Sequence, residues 1–172
     1  KLFEKVIHTQ LERYLEDNNL LPSCMFGFRK GISSQDIFLL LRDKVLKPPP
    51  GSMNRILFAL DLRKALDNIS HDTILTTLKE IDCGEIIYNY VQIIYNYVQS
   101  LLNNRTASIG WGTLRDNNIH IANKGTPQGS ILSPVIFNIG MWKLALMLEK
   151  DKEIGVAIYA DDITFWVMKG SY

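Results

Sequence analysis

The stretch GVAIYADDITFWV at residues 155–167 constrains the fold more than any other part of the sequence. Apolar residues run up to Asp161 and Asp162 and resume immediately after them. Short apolar runs bounded by turn residues indicate strands, so this pattern predicts two strands, VAIY and ITFWV, joined by ADD. Two adjacent carboxylates repel each other in a partly dry site. The simplest partner that neutralises them is a divalent cation with oxygen ligands, Mg²⁺ or Mn²⁺.

A third acid, Asp61, stands near the end of the apolar run NRILFALDL at 54–62, which is typical of a buried strand. If that strand lies beside the hairpin, three carboxylates surround a pair of metal ions. Such a site suits in-line attack on a phosphorus centre. The alternative is that the acids are ordinary turn and strand-end residues, because aspartate favours turns.

A second motif, NKGTPQGSILSP at 123–134, predicts an exposed loop held in a fixed shape by Gly125, Gly129 and two prolines. Backbone N–H groups at the start of the following helix favour phosphates or polar ligand atoms. Gln128 adds a donor and an acceptor. The alternative is an ordinary Gly/Pro turn in which Ser130 caps the helix.

The remaining sequence alternates helical patterns with turn signals. Apolar spacing predicts helices at 1–19, 35–46 and 131–150, with Ser34 as the cap of the second. Residues 71–102 are predicted to be mostly helical with a break at 82–84, and KPPPGS at 47–52 stops both helices and central strands. TASIGWG and NNIHIAN, which flank TLRDNN at 113–118, predict a hairpin.

The heptapeptide IIYNYVQ occurs twice in tandem, at 86–92 and 93–99. Seven residues make nearly two helical turns, so the second copy returns to the same face with a drift of roughly 20°. A helix therefore absorbs the duplication by growing about 10 Å. Two copies are too few for a solenoid.

Composition excludes several classes of protein. The chain has 172 residues and a net charge of +1, so it fits one globular domain without a general basic signal for nucleic acid. Cys24 and Cys83 are scattered, which argues against zinc and a disulfide framework and fits a reducing compartment. No signal peptide is visible, and the apolar run at 131–148 is broken by Pro134 and Lys143, which favours a buried or amphipathic helix.

Three segments together resemble the reverse transcriptase domain of non-LTR retrotransposons. They are FALDLRKALDNISHDTIL, KGTPQGSILSPVIFNI and IYADDITFW, and upstream FGFRKGISSQD resembles the fingers segment of the same family. The resemblance implies an α+β polymerase palm, an antiparallel sheet backed by helices, with partial fingers. It divides the chain into a fingers-like part at 1–54 and a palm at 55–172, with the long helix packed under the sheet.

The resemblance also implies roles for individual residues. Asp61, Asp161 and Asp162 match the catalytic carboxylates that hold two Mg²⁺ ions, with the carbonyl of Leu62 as a further ligand. Residues matching the nucleotide site are Arg29, Lys30, Arg63, Lys64, Ala65, Leu66 and Gln128. Residues matching contacts to template or primer are Pro127, Gln128, Gly129, Ser130, Tyr159 and Ala160. For Arg29 and Lys30 the alternative is a solvated pair of loop charges.

The implied function is RNA-directed DNA synthesis with an RNA template, a DNA primer and dNTPs as partners and no membrane. The expected location is intracellular, nuclear or cytoplasmic. The chain departs from the family at Leu66, where an aromatic residue is usual, and it ends at Tyr172 before the family's thumb. We therefore expect the piece alone to be inactive or nearly so.

Three competing interpretations stay open at the level of sequence. The nearest is a maturase-like protein of a group II intron, which shares the same motifs. The second is a non-catalytic remnant or RNA-binding domain of a decayed element, which the departure at Leu66, the duplication at 86–99 and the end of the chain at Tyr172 favour. The third and weakest is a phosphodiester hydrolase that uses the same acids.

Overall fold

The computed structural model describes residues 1–47, 56–81, 85–103, 105–108, 110–115, 119–120 and 124–167. The helices are α1 (Leu2–Asp17), α2 (Ser34–Leu41), α3 (Ala65–Asn68), α4 (His71–Glu80), α5 (Glu85–Leu102) and α6 (Ser133–Glu149). The strands are β1 (Leu57–Asp61), β2 (Thr106–Ala107), β3 (Gly110–Trp111), β4 (Leu114–Arg115), β5 (Ile119–His120), β6 (Ile154–Tyr159) and β7 (Asp162–Val167).

A three-stranded antiparallel sheet in the order β1–β7–β6 carries the site. Helix α6 packs against β6, and Phe137, Met141 and Ala145 of the helix share a buried cluster with Ile158 of β6 and Ile163 of β7. The predicted antiparallel sheet backed by helices is therefore confirmed, as is the packing of the long helix under that sheet.

Helix α6 also forms the centre of a second apolar cluster with α1, α4 and α5. It contributes Leu132, Val135, Ile136 and Ile139 to that cluster, whereas Phe137 faces the sheet. The first half of the helix is apolar on all sides and is covered by these two layers, whereas Leu144 and Met147 in the second half are exposed. The prediction of a buried or amphipathic helix from the apolar run at 131–148 is confirmed. None of the helices in the described residues has the length and apolar character to span a bilayer.

Strand β1 differs from its prediction as a buried strand. It lies at the edge of the sheet, and Leu57, Phe58 and Leu60 are each about half exposed. The physical reason is that α6 covers β6 and the adjoining part of β7 but stops short of the first strand. An apolar run alone does not distinguish a central strand from an edge strand.

The first two helices begin nearly where the sequence predicts, but the second is capped differently. Ser33 rather than Ser34 is the cap of α2, and its backbone N–H donates to the Asp36 carboxylate at 2.7 Å in a capping box. These hydrogen bonds lower the pKa of Asp36. The predicted helix at 35–46 also changes character, because Arg42–Leu46 forms a π-helical turn.

Both copies of IIYNYVQ lie on the single helix α5, as predicted. In the second copy Ile94 and Val98 are buried, while Tyr97 packs edge to face on Phe3 of α1.

The predicted hairpin at 106–123 is present as two nested antiparallel pairs, β2 with β5 and β3 with β4. Its turn lies at Gly112–Thr113, whereas the predicted turn spans 113–118, so Leu114 and Arg115 form a strand instead of a turn. The predicted break at 82–84 and the stop at 48–52 lie outside the described residues.

Cys24 is a free thiol buried beside α6, and Cys83 lies outside the described residues. Burial, and secondly the Glu149 carboxylate, raise the pKa of the Cys24 thiol to about 12. The thiol is therefore protonated at neutral pH, and we assign it a packing role.

Candidate active site

The three predicted acids converge at one end of the sheet. Asp61 ends β1, Asp162 begins β7, and the two residues face each other in the antiparallel register. The backbone N–H of Leu62 donates to the carbonyl oxygen of Asp161 at 3.0 Å, which ties the end of β1 to the turn. Residues far apart in the sequence thus meet because the β6–β7 hairpin lies directly beside β1.

The turn between β6 and β7 has only two residues, Ala160 and Asp161, between the paired residues Tyr159 and Asp162. Ala160 has a positive φ of 55°, which two-residue hairpins require. A small residue suits this position because larger or branched side chains are strained there. The turn makes Asp161 half-buried and leaves Asp162 exposed.

The donor set at this end of the sheet suits a hard divalent cation. Three carboxylates, with the main-chain carbonyl of Leu62 next to Asp61, supply only oxygen donors, which Mg²⁺ and Mn²⁺ prefer. Within the described ranges, however, no three His, Cys, Asp or Glu side chains stand close enough together to hold a metal ion. The register therefore brings the backbones of the acids together, while their side chains do not converge on one point.

The glycine loop, residues 124–130, is fixed against α3 and Ile69, the residue that follows it. The backbone N–H groups of Gly125 and Thr126 donate to the carbonyls of Ile69 and Leu66, each at 2.8 Å. Gly125 has a φ of 80°, and a Cβ there would lie 2.7 Å from the carbonyl oxygen of Asp67. Only glycine fits this contact, so the loop approaches the segment after β1 more closely than any other residue would allow.

His71 and Gln128 add side-chain ties to the same loop. His71, buried at the start of α4, lies with Nε2 2.7 Å from the carbonyl oxygen of Gly125, which makes Nε2 the donor. This hydrogen bond ties the buried imidazole ring to the glycine loop. Gln128 donates from Nε2 to Asp67 at 3.2 Å.

Ser130 does not cap the following helix, contrary to the interpretation of the motif as an ordinary turn. Helix α6 begins at Ser133 with Leu132 at the cap position, and the Ser130 hydroxyl accepts from the Leu132 N–H at 3.2 Å. Ser130 also donates to Glu4 of α1 at 3.0 Å, and the Ile131 N–H donates to the same carboxylate at 3.1 Å. The backbone N–H of Ile131, which the sequence suggested as a donor to a ligand, therefore already donates to the Glu4 carboxylate.

An open cleft of about 460 Å³ lies between the glycine loop and the acidic turn, the turn that carries Asp161 and Asp162 between β6 and β7. Its lining residues are Phe28, Lys64, Ala65, Leu66, Asp67, Thr126, Gln128, Gly129, Ser130, Ser133, Pro134 and Asp161. The cleft therefore combines the Asp161 carboxylate with the Lys64 ammonium, the Gln128 carboxamide and several small residues. Such a lining suits a phosphorylated ligand that also carries a flat group.

Several predicted site residues lie outside this cleft. They are Lys30, Asp61, Leu62, Arg63, Pro127, Tyr159, Ala160, Asp162 and Arg29.

Arg29 makes a bidentate ion pair with Glu16, at 2.8 and 2.6 Å, and donates to the carbonyl of Met25. The interpretation of Arg29 as a solvated loop charge does not describe it, because its side chain is only 15% exposed. Its role toward a nucleotide stays a prediction.

The cleft also contains residues that the sequence did not single out, among them Phe28, Asp67, Thr126 and Pro134. Phe28 directly precedes Arg29 in the segment FGFRKG, so its proximity to a predicted nucleotide residue was the available signal. Its exposure to the cleft depends on backbone geometry that apolar patterning does not encode.

The acidic turn is supported from behind by the segment Cys24–Gly27. Met25 forms a parallel bridge with Ile158 of β6, and a Cβ on Gly27 would lie 2.3 Å from the backbone nitrogen of Ala160. Asn138, buried on α6, donates to the carbonyl of Gly27 at 2.9 Å. This contact satisfies a buried polar side chain and fixes the segment against the turn.

Comparison with known proteins identifies the class to which this fold and site belong. Residues 1–170 match the family described as "Reverse transcriptase (RNA-dependent DNA polymerase)". The chain belongs to this reverse transcriptase family, as the sequence predicted. Members of the family generally use divalent metal ions.

The relatives are polymerases of non-LTR retrotransposons. The chain is 25% identical over 168 residues to "Probable RNA-directed DNA polymerase from transposon BS" of Drosophila melanogaster, covering 95% of this chain and 17% of that protein. It is 31% identical over 114 residues to the Pol polyprotein of the type-2 element R2DM of the same species, covering 62% of this chain and 10% of the relative. The chain thus spans less than a fifth of the length of these relatives.

Solved structures show the same fold at low sequence identity. Apo telomerase from Candida tropicalis aligns with a TM-score of 0.69 at 12% identity, covering 95% of this chain and 30% of that one. Telomerase from Candida albicans, in complex with a fragment of telomeric RNA, aligns with a TM-score of 0.65 at 14% identity, covering 95% of this chain and 30% of that one. The α+β architecture is therefore that of the polymerase palm.

Proposed function

We propose that this chain forms the catalytic palm, with part of the fingers, of a retrotransposon RNA-directed DNA polymerase. The reaction joins a dNTP to the 3′-hydroxyl of a DNA primer on an RNA template and releases pyrophosphate. The observation that carries the proposal is the register that pairs Asp61 with Asp162 while Asp161 lines the adjacent cleft. Family membership over residues 1–170 supports the same chemistry.

Two Mg²⁺ or Mn²⁺ ions would be held by Asp61, Asp161, Asp162 and the carbonyl of Leu62. When bound, such ions stabilise the negative charge that develops on the attacking and leaving oxygens. The contribution of the chain is to bring the backbones of the three acids to one end of the sheet, so that side-chain rotation alone would surround a cation with their carboxylates.

The incoming dNTP would occupy the cleft between the acidic turn and the glycine loop. Lys64 and Gln128 line this cleft and would bind the polar parts of the nucleotide, with Ala65 and Leu66 beside them. Arg29, Lys30 and Arg63 are further proposed contacts to the triphosphate. Arg29 would have to share its guanidinium with Glu16, because that pair is already formed.

The template and primer would lie along the loop and the turn. The proposed contacts are Pro127, Gln128, Gly129, Ser130, Tyr159 and Ala160. Gly129 has open space where a side chain would stand, so a base or sugar can approach the backbone closely. Candida albicans telomerase, which shares this fold, is in complex with a fragment of telomeric RNA, and this supports RNA as a partner.

The test is extension of a labelled DNA primer annealed to an RNA template. It compares this chain alone with the chain fused to the segment that follows the matched region in the Drosophila R2 polyprotein. We expect the fusion to lengthen the primer only when dNTPs and Mg²⁺ are both present, and the chain alone to be inactive or nearly so. Shortening of the primer without any extension would favour a phosphodiester hydrolase instead.

Replacing Leu66 with phenylalanine should sharpen selection of dNTPs over rNTPs. Leu66 lines the cleft and is smaller and more flexible than the aromatic residue that the family resemblance predicts at this position. A rigid ring leaves less room for a 2′-hydroxyl, and we expect the ratio of dNTP to rNTP incorporation to rise about tenfold. Single-nucleotide incorporation kinetics on the active fusion measure this ratio. An unchanged ratio would show that position 66 does not contact the sugar.

A further inference from the structure

Phe28 is the one aromatic residue among those that line the cleft, all of which lie in the described part of the chain. Its ring is 42% exposed, although a phenylalanine gains by burial. The other lining residues are small, aliphatic or polar. An exposed ring at the mouth of a site with charged and carboxamide groups points to a flat ligand group as its partner.

The backbone at Phe28 is held in a conformation that bulky residues rarely adopt. Its φ is +57°, in the left-handed region. The ring packs edge to face on buried Phe137, with centroids 6.3 Å apart. The flanking residues are fixed as well, Gly27 by Asn138 and Arg29 by Glu16. Backbone strain kept by surrounding contacts is a mark of functional sites.

We propose that Phe28 is a nucleotide-binding residue whose ring contacts the base and sugar of the nucleotide in the cleft. The inference rests on the proposed function of that cleft. Nucleic acid bases stack on aromatic side chains regardless of sequence because every base has a π face. Lys64 and Gln128 supply polar contacts in the same cleft, and Phe28 supplies the flat apolar contact that they lack.

The experiment compares a nucleotide with a ligand that has no base or sugar. The 172-residue chain is titrated calorimetrically with dATP and, separately, with inorganic tripolyphosphate, both with Mg²⁺. The variants are Phe28→Leu, which keeps an apolar contact to Phe137, and Phe28→Gly, which the positive φ favours. Phe28→Tyr retains the ring. Phe38→Leu is the matched control, because Phe38 lies on α2 and is 69% exposed outside the cleft.

We expect the Leu and Gly variants to bind dATP about tenfold more weakly and tripolyphosphate unchanged. The Tyr variant and the Phe38 control should match the unaltered chain with both ligands. Equal dATP affinity in all variants would overturn the role of Phe28 while leaving the cleft as a nucleotide site. Parallel loss of both ligands would mean that Phe28 acts only through the fold. If the unaltered chain binds neither ligand, the proposed function of the cleft fails, and this inference with it.

Discussion

Replacing Asp161 or Asp162 with asparagine should lower the rate of primer extension by at least about a thousandfold. A bound divalent cation stabilises the charge of the transition state by several kcal/mol, and each 1.36 kcal/mol changes a rate about tenfold. Asparagine has nearly the same shape but no charge, so it weakens the cation site without displacing the turn. Asp162 faces Asp61 across the register, which makes the same expectation apply to Asp61→Asn.

The matched control is Asp17→Asn at the C-terminal end of α1. Asp17 is exposed on α1 and does not line the cleft. A negative charge at a helix C-terminus is unfavourable, so its removal should leave stability equal or slightly higher. Single-turnover extension by the active fusion measures each variant. Activity that survives at either residue of the turn would mean that the acids are wrongly assigned.

Replacing Gly27 with alanine should cause a large loss of stability, although the substitution removes no interaction. The added Cβ would stand 2.3 Å from the backbone nitrogen of Ala160 and 3.0 Å from the carbonyl carbon of Tyr159. Both atoms belong to the backbone, so the clash is relieved only if the supporting segment or the turn moves. Overpacking of this kind costs about 3 kcal/mol. The turn that carries Asp161 would move with it, so extension by the fusion should fall as well.

Gly31→Ala separates this clash from the general effect of replacing glycine. Gly31 has a φ of 75° and open space around it, so alanine there meets backbone strain alone, about 1 kcal/mol. Urea unfolding of the 172-residue chain gives the two midpoints. Equal shifts for the two variants would show that Gly27 does not limit the approach of its segment to the turn.

The sequence predicted the parts of this fold that depend on local pattern and turn chemistry. The apolar runs around Asp161 and Asp162 predicted a hairpin, and the continuous apolar run after the glycine loop predicted a buried helix. Both are present. The hairpin is determined by short apolar runs on either side of turn residues, and the helix by the length of its apolar run. The meeting of Asp61 with the hairpin was a hypothesis at that level, and the strand order now gives it a geometric basis.

The features that the sequence analysis missed depend mainly on how helices, strands and loops pack against one another. The prediction that β1 is buried was wrong because an apolar pattern does not show which strands a helix covers, and α6 packs on β6 rather than on β1. Ser33 caps α2 because its partner Asp36 lies three residues on, whereas the residue three after Ser34 is Ile37, whose side chain cannot accept a hydrogen bond. Phe28 was missed because its place in the cleft follows from a positive φ and from contact with Phe137.

The most direct measurement is Mn²⁺ binding by the 172-residue chain with dATP, followed by the loss of the free-ion signal in electron paramagnetic resonance. The central claim is that Asp61 shares one cation site with Asp161 and Asp162, although it lies on a different strand. Asp61→Asn and Asp162→Asn should each weaken Mn²⁺ binding about tenfold or more, and Asp17→Asn should bind as the unaltered chain does. Asp61→Asn with unaltered Mn²⁺ affinity, beside a clear loss in Asp162→Asn, would contradict the shared site.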